Sequence, residues 1–142
     1  MSSMKALFGL LVAVVAAVVG FGAAQASASS APIVIPYEKT CTGGVCDSPA
    51  GARVTLHMKL TGYRPTGDAA QLTATERITV GNISFTADLS GHFSPAGFIV
   101  LNGTVTSGSF AGAQVHQRSN FVSADATSDS WVGELQLMPA SA

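Results

Sequence analysis

The amino-acid sequence predicts an all-β fold, an antiparallel barrel of about six to eight strands, with a β-sandwich as the alternative. Three observations carry that expectation. Beyond residue 52, apolar residues recur at every second position, the period of a half-buried strand. Gly, Pro, Asn and Ser break the pattern about every 8–12 residues. No window of ten or so residues beyond position 26 repeats with the helical period.

The N-terminus reads as an address. Lys5 is the only charge before Glu38, and residues 6–24 are apolar without interruption (ALFGLLVAVVAAVVGFGAA). A short basic start, an apolar stretch and a small-residue exit describe a secretory signal helix. Ala24-Gln25-Ala26 places one cut before Ser27, and Ala26-Ser27-Ala28 a second before Ser29. Residues 1–26 are therefore expected to be a signal peptide, and the rest secreted, whether periplasmic or extracellular. A retained anchor is the competing reading, since a span needs ~20 apolar residues. The Ala- and Gly-rich run and its exit favour cleavage.

Cys41 and Cys46 are the only cysteines, in CTGGVC. Outside the cytoplasm such a pair is oxidised. It is expected to staple a short loop within an N-terminal arm, residues 27–52. A redox pair normally has Cys-x-x-Cys at a helix N-terminus, which this spacing does not provide.

The strands follow in order. Residues 33–37 are bracketed by Pro32 and Pro36 and suit only an edge strand. In residues 53–60, Val54, Leu56, Met58 and Leu60 share one face, opposite Arg53, Thr55, His57 and Lys59. Residues 61–68 are rich in Gly and Pro and read as a turn region. Residues 71–80 make the next strand, and Gly81-Asn82 suits a two-residue hairpin. Ile83, Phe85, Ala87 and Leu89 alternate on the returning strand. Residues 98–106, 114–122 and 130–138 complete the set, and together residues 53–142 form an antiparallel β domain.

One phrase, Thr106-Ser107-Gly108-Ser109-Phe110-Ala111-Gly112-Ala113, resembles the Gly-Thr-Gly-x-Phe-x-Gly-Ala turn of the allene oxide cyclase and dirigent-like barrels. The resemblance implies a small barrel in which this turn joins two antiparallel strands. Ser107 stands where Thr is usual, and Val115 where a further Gly often follows. No catalytic residue of that group has a counterpart here.

The composition excludes several functions. Only 11% of the 142 residues are charged, with 7 basic and 8 acidic side chains, against about 25% charged in an ordinary soluble protein. Cleavage would remove Lys5 and leave a mildly acidic domain. That balance offers no footprint for nucleic acid and none for stable association with an anionic membrane. There is no nucleophile elbow, zinc helix or EF-hand loop, so no metal or cofactor is expected. Gly103 and Gly108 have phosphate-loop spacing, but Ser109 and Phe110 replace its Lys and Ser/Thr. His57, His92 and His116 are not paired at metal-ligand spacing and are expected on solvent-facing strand positions. Asn82-Ile83-Ser84 and Asn102-Gly103-Thr104 match the glycosylation sequon.

Glu76 is the anomaly, because its parity puts a carboxylate on an apolar face. A bulge or edge that turns it to solvent is the expected resolution. The alternative is burial beside a partner, with Arg77, Arg118 and His116 as candidates. In that arrangement His116, Arg118 and Asn120 would point into the lumen and floor a ligand site with Glu76. The leading functional expectation is a secreted barrel that binds a small apolar ligand in its mouth. The alternatives are a cofactor-free isomerase or cyclase using a polar group in the barrel, and a structural protein that self-associates or meets another protein through sheet edges.

Overall fold

The computed structural model describes residues 31–139. They form eight strands: β1 (Ile33–Thr42), β2 (Val45–Asp47), β3 (Thr55–Thr66), β4 (Ala69–Val80), β5 (Ile83–Ser94), β6 (Phe98–Gly108), β7 (Gln114–Ala124) and β8 (Asp129–Met138). Each strand pairs antiparallel with the next. β1 then pairs with β8 from Ile33↔Leu137 to Cys41↔Asp129, so the sheet closes into a barrel. Closure decides against the sandwich. There is no helix among the described residues, and the expected signal segment, residues 1–26, lies outside them.

The first two strands correct the expectation of an arm. Residues 33–47 are wall, not appendage. Ile35, Tyr37 and Lys39 turn inward and are buried, while Val34, Pro36 and Glu38 face out. Pro36 is tolerated because β1 meets β8 on one side and finds β2 only at Thr40–Thr42. Its missing N–H falls where the ladder has no second neighbour. The CTGGVC segment is itself a hairpin: Cys41 and Cys46 are directly opposed, with Cα atoms 4.0 Å apart, and the disulfide bridges them.

The stretch expected as turns, residues 61–68, is mostly strand. β3 keeps its ladder with β4 as far as Thr66↔Ala69, and only Gly67-Asp68 turns. A bulge between Leu60 and Gly62 resets the alternation, so that Tyr63 stands opposite the inward-facing Leu72. Pro65 is accommodated as Pro36 is, because β3 pairs with β2 only from His57 to Lys59. The Gly81-Asn82 hairpin forms as expected, with Val80 opposite Ile83 and Gly81 at φ +60°. Glycine at the first central position is what a two-residue II′ turn requires. The phrase at residues 106–113 does join two antiparallel strands, β6 and β7.

Alternation sorts the wall. Leu56, Ile78, Phe85, Val105, Val115, Leu135 and Leu137 pack in the interior, each at most 2% exposed. Thr73, Asp88, Thr104 and Arg118 project outward. Apolar inside and polar outside is the inverse of a transmembrane barrel. The barrel has two distinct ends. The base carries the 48–54 loop, the Gly81-Asn82 turn and the 109–113 turn. The mouth carries the disulfide hairpin, the Gly67-Asp68 turn and the connections at 95–97 and 125–128.

β2 supplies only three residues of wall, so the disulfide fixes the shortest stave. Replacing both cysteines (C41S/C46S) should lower the unfolding free energy by about 2 kcal/mol, the loop-closure value for so short a ring. Urea titration measures this directly. An unchanged midpoint would mean that the ladder alone holds the hairpin.

Candidate functional site

The inward face of a small barrel should be apolar throughout, because unpaired polar groups are costly there. Here four buried side chains on that face are polar or charged: Lys39, Glu76, Gln117 and Ser119, all 1% exposed or less. With Tyr37 they form a polar layer across the lumen. Gln117 Nε2 donates to Glu76 Oε1 at 3.0 Å and to the Tyr37 hydroxyl at 3.4 Å. The Tyr37 and Ser119 hydroxyls share a 2.6 Å hydrogen bond. Glu76 Oε2 and Gln117 Oε1 have no hydrogen-bond partner among the described residues.

Glu76 therefore does not turn to solvent. The bulges fall between Leu60 and Gly62, Thr86 and Ala87, and Phe121 and Ser123, leaving the β4 alternation intact through Glu76↔Met58. Its partners are also not those anticipated. Val115, Gln117 and Ser119 are the buried positions of β7, which puts His116, Arg118 and Asn120 on the outer face. There His116 Nδ1 lies 2.6 Å from Asn102 Oδ1. The Arg118 guanidinium lies over the Phe98 ring at 4.1 Å and donates from Nε to Asn120. Both line an open surface groove with Glu134 and Gln136. The wall thus separates Glu76 from His116 and Arg118. His57 and His92 face outward as expected.

Burial pushes the Glu76 carboxyl up from 4.5 to about 7, against the opposing Gln117 hydrogen bond and Lys39 charge. The Tyr37 hydroxyl is raised by the same desolvation. Burial lowers Lys39, and the charges of Glu76 and Asp129 only partly offset it. Each shift favours the neutral form, as expected of groups removed from water.

Above the polar layer the lumen opens. A cavity of about 270 Å³ reaches the mouth, walled by Met58, Leu60, Leu72, Phe93, Ile99, Leu101 and Trp131. The disulfide and Gly43-Gly44 form part of its rim, and Lys39 reaches it from the polar layer. Trp131 is held from three sides. Phe93 and Phe121 meet it edge-on at 6.3 and 5.5 Å, and its Nε1 donates to Asp129 Oδ2 at 2.5 Å. Glu76 is not part of the cavity wall. Gly133 makes room beneath: a Cβ there would lie 2.9 Å from the Tyr37 hydroxyl and 2.1 Å from the Arg118 carbonyl oxygen.

Comparison with family profiles, with curated proteins and with solved structures found no match for this chain.

The Glu76 shift sets a pH dependence. The folded state holds its proton more tightly than the unfolded state. The stability this confers is complete below 4.5 and is lost as pH rises through about 7. The lost amount is about 3 kcal/mol, and the slope flattens above that range. Glu76→Gln, neutral at every pH, should remove this fall, so that the variant matches wild type at pH 4.5 and exceeds it at pH 8. Denaturant midpoints across pH measure it. Parallel wild-type and variant curves would place the ionised carboxylate comfortably in the lumen.

Proposed function

We propose that the protein is a secreted barrel that binds one compact, largely apolar ligand in its mouth. The observation that carries this reading is the cavity of about 270 Å³ lined mainly by apolar and aromatic side chains, with the buried amine of Lys39 and the carboxylate of Asp129 as its charged groups. Ligand sites are usually concave and apolar with few polar groups. An engineered apolar cavity of about 150 Å³ accepts benzene, so this one suits a single- or double-ring molecule or a short acyl chain. Export fits the Cys41–Cys46 disulfide and the apolar leader of the sequence. The likeness of the β6–β7 turn to allene oxide cyclase and dirigent-like barrels is part of the same proposal. It concerns the wall, and no catalytic role is transferred with it.

The enzyme reading is weaker. Glu76 has a carboxyl tuned near neutrality, but it is fully buried and the mouth cavity does not reach it.

Trp131 is the only tryptophan and lines the cavity, so it reports occupancy. Benzyl alcohol, indole and 1-hexanol should each change its fluorescence saturably with one-to-one stoichiometry. Ile99→Trp fills the cavity and should weaken binding at least about tenfold by calorimetry, a loss of about 1.4 kcal/mol. Binding unaffected by that substitution would place the ligand elsewhere.

A further inference from the structure

Lys39 has an unusual setting for an amine. Its side chain is 1% exposed, and among the described residues its Nζ forms one side-chain hydrogen bond, to the Met58 thioether sulfur at 3.8 Å. The Tyr37 ring lies 5.7 Å away. Among the described residues the one ion pair is His57–Asp47, on the outer face. No carboxylate therefore salt-bridges Lys39. The titratable groups around it are Glu76 and Tyr37 in the polar layer and Asp129 at the rim. Desolvation holds the amine below its ordinary value, which leaves more of it as a free base with an available lone pair.

We propose that the mouth pocket takes a compact apolar aldehyde and that Lys39 condenses with it as a Schiff base. This rests on the ligand-binding reading above and names the chemical class of the ligand. The Nζ lone pair attacks the carbonyl carbon, and the carbonyl π pair moves to oxygen. A proton passes from nitrogen to that oxygen to give a carbinolamine. The C–O bond then breaks, water leaves and a C=N bond forms. Amine plus aldehyde give imine plus water, with no change of oxidation state. The apolar walls restrict the return of water and so slow hydrolysis.

The pocket is less suited to an apolar acid. Asp129 already places a carboxylate at the rim, where it accepts from Trp131 Nε1. A ligand carboxylate would be repelled there. It would also find only the Lys39 amine and the Tyr63 hydroxyl as side-chain donors not already engaged, among Met, Leu, Ile and Phe walls, too few hydrogen bonds to offset its desolvation.

The chain has three lysines, Lys5, Lys39 and Lys59, so the chemistry can be mapped residue by residue. The full chain would be incubated at pH 7 with benzaldehyde and cyanoborohydride, which reduces an imine to a stable amine, and analysed by intact and peptide mass spectrometry. Lys39 should be labelled at least about tenfold faster than the exposed Lys59, because the pocket holds the aldehyde beside one amine and not the other. Benzyl alcohol should compete, K59R should leave the labelling unchanged, and K39R should abolish it. The K39R variant should keep the near-ultraviolet circular dichroism of the wild type, showing that the barrel survives. Labelling confined to Lys59, Lys5 or the N-terminal amine overturns the proposal. If benzyl alcohol perturbs Trp131 but Lys39 stays unlabelled, the imine is overturned while the binding site stands. If neither occurs, both fall together.

Discussion

An open antiparallel sheet has two unpaired edges, and everything in this chain follows from removing them. The first and last strands pair over nine positions, Ile33–Cys41 with Asp129–Leu137. Closure divides every strand into inward and outward residues, and the side-chain period of two leaves no third option. The lumen then has to be filled by whatever stands at alternate positions. Every strand contributes to the core in this way. At Tyr37, Lys39, Glu76, Gln117 and Ser119 the same rule places polar atoms inside. The polar layer is a consequence of closure, and its members satisfy one another only in part, since Glu76 Oε2 and Gln117 Oε1 find no partner among the described residues.

That layer separates two different interiors. Toward the base, aliphatic and aromatic side chains fill the space. Toward the mouth the lumen widens into the cavity beside Trp131. Lys39 belongs to both regions: its electrostatics are governed partly by Glu76, and it also lines the apolar cavity. Protonation of Glu76 and the charge on Lys39 are thus coupled, since each favours the ionised form of the other.

The wall was legible where apolar residues mark the parity without ambiguity. Leu56, Met58, Ile78, Phe85, Leu135 and Leu137 lie on the faces their spacing indicates. Strand β7 was not. In VHQRSNFV both faces are polar, so alternation alone does not say whether Gln117 or Arg118 points inward. Val115 was the available anchor: counting from it by twos reaches Gln117 and Ser119. Counting from Ile33 and Ile35 in the same way reaches Tyr37 and Lys39, but Pro36 obscured the strand that carries them. Residues 61–66 failed for a different reason. Gly and Pro normally end strands, yet both are admissible where a strand has a neighbour on one side only, and that depends on the length of β2, which no local pattern reveals. The fate of Glu76 likewise depends on tertiary contact: a bulge or edge is the expectation from its spacing, and only the barrel interior, with Gln117 opposite, shows it buried.

The pairing of β1 with β8 joins residues about a hundred positions apart, whereas every other ladder links strands adjacent in the chain. Contacts of such long sequence separation form late, since most of the loop-closure entropy must be lost first. Until that joint forms, the wall is a sheet with two unpaired edges. The hairpin around Cys41 and Cys46 needs no distant partner and can form early. The order of events would then run from that local hairpin to the final joint, with the folding rate set by the search of one end of the chain for the other.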